Sequence, residues 1–230
     1  MNENQGPRPR IIEQGIVDLI KTEKIQDGLV DLAEASIDQL IQDGFLCDIP
    51  VLGSVLVAIR AARSFRDLLL AKKIGRFLLG LQTVPLNERE EFLSSLEDGN
   101  QRRKVGETLL LILDRLDDME KPELIARLFQ AQIQGTISRQ TFQQLATAVD
   151  RLTLEHVTAL KAFYSNDMDA HSRAPVDRDV LQALAFCGLV RIEAEGDGGG
   201  LIASEFAGAT ISYVRNRLGS QFVMAISSDV

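Results

Sequence analysis

The sequence predicts a mainly α protein. A multi-helix domain is built around an apolar-basic central helix and is followed by a small winged-helix-like C-terminal module with a β-hairpin. Three observations carry this reading. Apolar residues recur at helical spacing through most of the chain, as in Ile12, Ile16, Leu19, Ile20 and then Leu29, Ala33, Ile37, Leu40, Ile41. Between Ile49 and Leu81 an uncharged apolar run passes directly into a basic helix. Near the end the period changes: Leu189 to Ala194 alternates apolar and polar like a strand, and a glycine-rich tip comes next at Gly196 to Gly200. A chain of 230 residues, 45% hydrophobic and 25% charged, can bury one large core or two small ones, and this composition argues against disorder.

Taken in order, residues 1–10 are polar, carry Pro7 and Pro9, and predict a disordered N-terminus without the apolar core of a signal peptide. Residues 11–82 form the amphipathic and apolar-basic helices, the expected membrane or oligomer segment. Within them, two helices break near Gly28, Asp43-Gly44 ends the pattern, and Pro50 marks the next start. Residues 83–164 form a helical middle domain. There Asn87 is read as a cap, Asp98 to Lys104 as a polar break, and Val105 to Leu116 as a strongly apolar helix. Pro122 opens the next helix, Gly135 stops it, and Ser138 caps one whose inner face is Phe142, Leu145, Ala146, Val149 and Leu152. A short helix runs from Glu155 to Tyr164. Residues 165–230 form the winged-helix-like module, with a helix at Val180 to Phe186, the hairpin returning through Leu201 to Ala203, and a last helix at Thr210 to Leu218.

Composition excludes more than it assigns. The chain has no Trp and only Tyr164 and Tyr213, which disfavours base-stacking platforms and sugar sites. Cys47 and Cys187 match no metal spacing and predict free thiols in a reducing compartment. Around Gly135 the positions of a calcium loop would be filled by Gln130, Gln132, Gln134 and Thr141, none a carboxylate, so calcium is rejected. Asp167, Asp169 and His171 read as loop chemistry rather than metal ligands. The glycine tip has no following Lys-Ser or Lys-Thr, which excludes a phosphate loop. No catalytic set is found. Neither an enzyme activity nor a cofactor or metal is expected.

Charge singles out one segment. The net charge is −8, yet residues 60–81 hold Arg60, Arg63, Arg66, Lys72, Lys73 and Arg76 against Asp67 alone. These six cations are the candidate ligand or anion-binding residues. The bland alternative is a buried central helix whose cations pair with the acids of residues 1–48, which carry ten acids against four bases. Duplex DNA is excluded as a partner, because the overall field is acidic and the wing carries Glu193, Glu195 and Asp197. Anionic lipid remains compatible with the basic segment. The candidate membrane-contacting residues are Ile49, Val51, Leu52, Val55, Leu56 and Ile59 of the apolar run. As a helix, residues 49–59 reach only ~16 Å, against ~30 Å of bilayer core, so they cannot cross it singly. Leu52, Leu56, Ile59, Leu70, Ile74, Phe77 and Leu81 fall within an arc of roughly 60° on a helix. Arg63 lies inside that arc, where a cation needs an acid, a ligand or water.

The stretch LVDLAEASIDQLIQDGFLCDIPVLGSVLVAIRAARSFRDLLLAKKIGRFLLGL at residues 29–81 resembles a widespread group of bacterial proteins. The shared pattern is an acidic amphipathic helix, an Asp-Ile-Pro step, a small-residue apolar run, and Lys-Lys before Phe-Leu-Leu. The segment LIARLFQAQIQGTISRQTFQQLATAVDRL agrees with that group's helical middle section. The organisation resembles the abortive-infection alpha proteins over roughly residues 25–190, and more sharply the membrane effectors of the Hailong defence system. The resemblance implies a non-enzymatic anti-phage effector that perturbs the inner membrane when triggered. It also implies a nucleotidyltransferase partner, or its oligonucleotide product as ligand. The expected location is the bacterial cytoplasm, conditionally or partly the inner membrane. Two apolar surfaces, residues 49–59 and Val105 to Leu116, predict a homo-oligomer. The competing expectation is a soluble regulatory module that binds a nucleotide or oligonucleotide through residues 60–76.

Overall fold

The computed structural model describes residues 15–21, 30, 33–34, 65–96, 98–165, 176–195 and 210–227. They form a mainly helical chain with one small antiparallel two-stranded hairpin. The chain divides into two compact units, Met1–Ser138 and Arg139–Asp229. The division falls inside the stretch that the sequence pattern presents as one middle domain. Shortly before it lies the turn at Gly135, whose φ of 72° is the left-handed conformation that glycine adopts without strain.

Among the described residues, the first unit holds helical residues 15–20, 30 and 33–34 and the helices α1 (Phe65–Leu81), α2 (Leu86–Ser95), α3 (Gly99–Arg115) and α4 (Lys121–Ile133). Along α1, Leu68, Ala71, Ile74, Phe77, Leu78 and Leu81 are buried at helical spacing, as the apolar arc requires, while Leu70 is only half-buried. Leu52, Leu56, Ile59, Arg60 and Arg63, with the rest of residues 49–59, lie outside the described residues. Phe129 of α4 sits between Phe77 and Phe92, with ring centroids at 5.8 and 5.5 Å. On α3, Val105, Leu109 and Leu113 face inward, and Leu111 is 59% exposed.

Two boundaries differ from expectation. The helix expected after a cap at Asn87 starts two residues earlier, at Leu86 behind Pro85, with no side-chain cap bond. The polar break expected at Asp98 to Lys104 is instead the first turns of α3, because the Asp98 carboxylate accepts from the Gln101 N–H at 2.7 Å. A capped helix start tolerates polar residues that alone read as loop. Pro122 stands in the first turn of α4, as its missing N–H predicts.

Helices α1 and α4 approach closely at Gly80, where a Cβ would lie 2.7 Å from that of Ala126. Gly80→Ala is therefore expected to destabilise by about 1–3 kcal/mol through overpacking, less the ~1 kcal/mol by which alanine favours a helix. The check is a double-mutant cycle with Ala126→Gly in urea. The pair should cost less than the two single changes added together.

The second unit runs α5 (Arg139–Arg151), α6 (His156–Ser165), α7 (Arg178–Phe186), β1 (Val190–Glu195), β2 (Thr210–Arg215) and α8 (Arg217–Ser227). The inner face of α5 is buried as the sequence predicts: Phe142, Leu145, Ala146 and Val149, with Leu152 just beyond the helix. Leu160, Leu184, Leu189, Phe222 and Ile226 are buried with them in this unit's core. Helix α7 ends at Gly188, φ 78°, where the Leu189 N–H reaches back to Leu184 O at 3.0 Å. One element is corrected. The last helix is not Thr210 to Leu218: Thr210–Arg215 is the return strand, paired from Glu195↔Thr210 to Val190↔Arg215, and the helix begins at Arg217. Ile211, Tyr213 and Val214 are β-formers whose helical-looking spacing is short, and a strand partner decides the matter. Leu201 to Ala203, expected as the return, lies outside the described residues.

Tyr164 ties this unit together. Its hydroxyl donates to Leu189 O at 2.7 Å and accepts from the Asn216 N–H at 2.9 Å. The Asn216 side chain caps α8 by accepting from the Gly219 N–H at 2.8 Å and donates to Gly188 O at 3.0 Å. Burial pushes the Tyr164 phenol up, partly offset by the bond from Asn216 and by Arg215. The folded state then holds a proton that the unfolded chain releases at about pH 10, so stability is lost as pH rises through the folded value. Tyr164→Phe should flatten the alkaline fall of the urea midpoint between about pH 9 and 11.

Candidate functional site

The six sequence-predicted cations begin with Arg60 and Arg63, which lie outside the described residues. The structure places the other four on α1. Arg66, Lys73 and Arg76 run down one flank of the apolar stripe, and all three meet the end of α3 or the connection into α4. Arg66 donates to the Asp114 carboxylate from Nη2 at 2.6 Å and Nε at 3.3 Å, with its side chain 77% exposed. Lys73 is 8% exposed; its ammonium donates to Leu116 O and, at 3.5 Å, to Asp114 O. Arg76 donates to Met119 O at 3.0 Å, Ala33 O at 3.4 Å and the Glu123 carboxylate at 3.5 Å.

The geometry has an electrostatic cause. The last carbonyls of α3 have no partners within the helix and carry its partial negative charge, so a lysine beside them is held there. The connection itself is acidic, with Asp117, Asp118 and Glu120. Lys121, 3% exposed, reaches Asp117 at 2.6 Å and holds that carboxyl below the usual range. Burial lowers the Lys73 ammonium, opposed by Asp114 and Asp117, while burial and then Arg76 lower that of half-buried Lys72. The described partners of Arg66, Lys73 and Arg76 are acids and carbonyls of α3, α4 and the connection between them, with the Ala33 carbonyl as a further acceptor for Arg76. Most of the acidic N-terminal residues lie outside the described residues.

This predicts a contrast between two neighbours. Lys73→Ala leaves Leu116 O without its donor and removes a packed stem, and is expected to cost about 1–2 kcal/mol. The cost of burying the charge keeps that figure low. Arg66→Ala removes only a solvated pair and should leave the urea midpoint unchanged.

Sequence reasoning missed two features. Arg89 is 3% exposed, donates to Ile20 O at 2.9 Å, and is lowered by burial. Its only signal was a lone cation among the acids of EREEF. The second is a cleft of about 440 Å³ in the second unit, lined by Gln182, Ala185, Phe186, Arg191 and Ile192 among others. Phe186 is 75% and Ile192 49% exposed there. The signal was present in the alternation of Val190, Ile192 and Ala194, which puts an apolar face on a strand that no second sheet covers among the described residues.

Among the described residues, no group of three or more His, Cys, Asp or Glu is arranged to hold a metal ion. No helix among them is long and apolar enough to cross a membrane. Comparison of the chain with protein-family models, curated proteins and solved structures finds no match.

Proposed function

We propose that this chain is a non-enzymatic effector of bacterial anti-phage defence that assembles with further copies and perturbs the inner membrane when triggered. Ile49, Val51, Leu52, Val55, Leu56 and Ile59 are its lipid-contacting residues. The supporting observation lies at the first turn of α1, a few residues beyond that run: Phe65 is 57% exposed and the Arg66 side chain 77% exposed. An apolar segment, an aromatic ring and a guanidinium in succession match the depth profile of a membrane interface. A segment of ~16 Å cannot span ~30 Å of hydrocarbon, so perturbation requires several copies. In this reading α1 is the apolar-basic central helix and its Lys73 and Arg76 contacts are the control element. Residues 165–230, in which α7, the hairpin of β1 and β2 and α8 follow one another, are the winged-helix-like module. An oligonucleotide made by a partner nucleotidyltransferase is the ligand that competes for those cations.

The test uses the full chain with dye-loaded vesicles of phosphatidylethanolamine and phosphatidylglycerol, beside expression in phage-challenged cells. Dye release that rises steeply with protein concentration, and growth arrest, are expected for the wild type and lost in Leu56→Asp. Absence of both effects, or their survival in Leu56→Asp, overturns the proposal. Arg63→Ala should stay folded while toxicity or its control changes.

A second reading, a soluble regulatory module binding an anionic ligand, draws on Lys72. Its lowered ammonium beside Arg76 is a charge that a phosphate would stabilise. Such a protein releases no dye, but titration with a short oligonucleotide gives a salt-sensitive binding signal that Arg66→Glu with Lys72→Glu removes.

A further inference from the structure

A two-stranded hairpin offers its outer backbone edges as well as its faces. Among the described residues β1 is hydrogen-bonded to β2 alone. Its sequence, VRIEAE, contains no proline, and its charges, Arg191, Glu193 and Glu195, are of both signs, so the usual protection of an edge by like charge is not complete against a second copy in a register that pairs them. One face of the hairpin carries Val190, Ile192 and Ala194 opposite Arg215, Tyr213 and Ile211. Ile192 and Ile211 are each 49% exposed, and Phe186 at 75% borders the same cleft as Ile192. The other face of β1 carries Arg191 and Glu193, which pair with one another along the strand, with side chains 63% and 42% exposed.

We propose that β1 is a self-association edge, and that two copies of this chain pair β1 to β1, antiparallel, about a two-fold axis at Ile192. Charge sets the register. With Ile192 opposite its counterpart, Arg191 of each copy faces Glu193 of the other, twice by symmetry, and Val190 faces Ala194. Directly opposed residues of an antiparallel pair share a face, so the apolar and charged faces both continue across the axis. The result is a four-stranded sheet with a single apolar face. Strand β2 offers no such register: Thr210–Arg215 carries one charge, Arg215, whose guanidinium already lies over the Tyr164 ring at 5.9 Å. The cleft between the last turn of α7 and β1 leaves room for the incoming strand's side chains. This inference deepens the assembly part of the proposed function by naming the partner surface. Its test reads association in free solution, so it can fail while membrane leakage stands, and the reverse.

The experiment is sedimentation equilibrium on the full chain across the micromolar range, with three surface variants whose helicity is checked by circular dichroism. Wild type should show a reversible monomer–dimer equilibrium or a higher state built on it. Arg191→Glu sets two carboxylates against each other across the axis, the introduced one and the native Glu193. Glu193→Arg likewise sets two guanidinium groups against each other, the introduced one and the native Arg191. Each variant alone should associate at least about tenfold more weakly, since opposed like charges repel. Mixed in equal amounts, the two are complementary and should restore wild-type association as a heterodimer, a result that no folding defect would mimic. Ile192→Cys should give a symmetrical disulfide-linked dimer on mild oxidation, above the background set by Cys47 and Cys187 in wild type. Opposed positions of antiparallel strands lie within bridging distance. A monomeric wild type, unimpaired association of both charge variants, or failure of the mixture to recover overturns the proposal.

Discussion

Gly219→Ala is expected to destabilise the second unit by about 3 kcal/mol or more, at the upper end of overpacking effects. A Cβ at this position would fall 2.0 Å from the Leu189 carbonyl oxygen and 2.2 Å from the Tyr164 hydroxyl. Neither neighbour can yield cheaply. Leu189 is buried backbone between α7 and β1, and its oxygen accepts the Tyr164 hydroxyl at 2.7 Å. Tyr164 is held from its other side by the Asn216 N–H, and Asn216 caps the helix on which Gly219 stands. The alanine therefore breaks a network rather than one contact. Hydrogen exchange should show the amides of α8 and β1 losing protection together. If Gly219→Ala melts like wild type with those amides still protected, this close approach does not exist in solution.

Phe129→Ala is expected to cost the first unit about 3–5 kcal/mol, as large-to-small changes in a packed core do. The ring is 1% exposed and stands edge-on to Phe92 at an interplanar angle of 86° and tilted at 53° to Phe77. Its removal leaves a cavity bounded by two rigid rings on different helices, which cannot both relax into it. Phe129→Leu should recover about half of the loss, because most of the apolar volume returns without the ring contacts. Urea denaturation followed by exchange at α1 and α4 checks this, and equal loss for both variants would contradict the cavity argument.

The candidate site was partly legible from the chain alone. Clustering of Arg66, Lys72, Lys73 and Arg76 on one helix could be read from spacing, because a helix converts sequence separation directly into angle. Their partners could not. The Asp114 carboxylate, Leu116 O and Met119 O lie 48, 43 and 43 residues further along than the cations they accept from, and the last two are main-chain oxygens of a kind that every residue possesses. Nothing in residue type marks a carbonyl as the one that will lie beside a lysine. The acidic N-terminal residues were the visible counter-charge, and most of them lie outside the described residues. Arg89 escaped for a related reason: its described partner is the carbonyl of Ile20, 69 positions away.

The same division runs through the fold. Local rules sufficed where a segment's preference is intrinsic: the inner face of α5, Pro122 opening α4, Gly135 closing it, and the alternation of β1. They failed at Thr210–Arg215, whose six residues fit either period until a partner strand supplies hydrogen bonds for their backbone. They failed again at residues 99–104, where the Asp98 cap and the attached apolar turns carry polar residues into α3. By itself the sequence determined the helical class, the apolar stripes and the basic character of α1, because those depend on residues a few positions apart. Only the tertiary structure decided which carbonyls receive the cations, which strand returns, and where the division between units falls. Each of these depends on groups brought together by burial across tens of residues, and burial energy is indifferent to the order in which they occur along the chain.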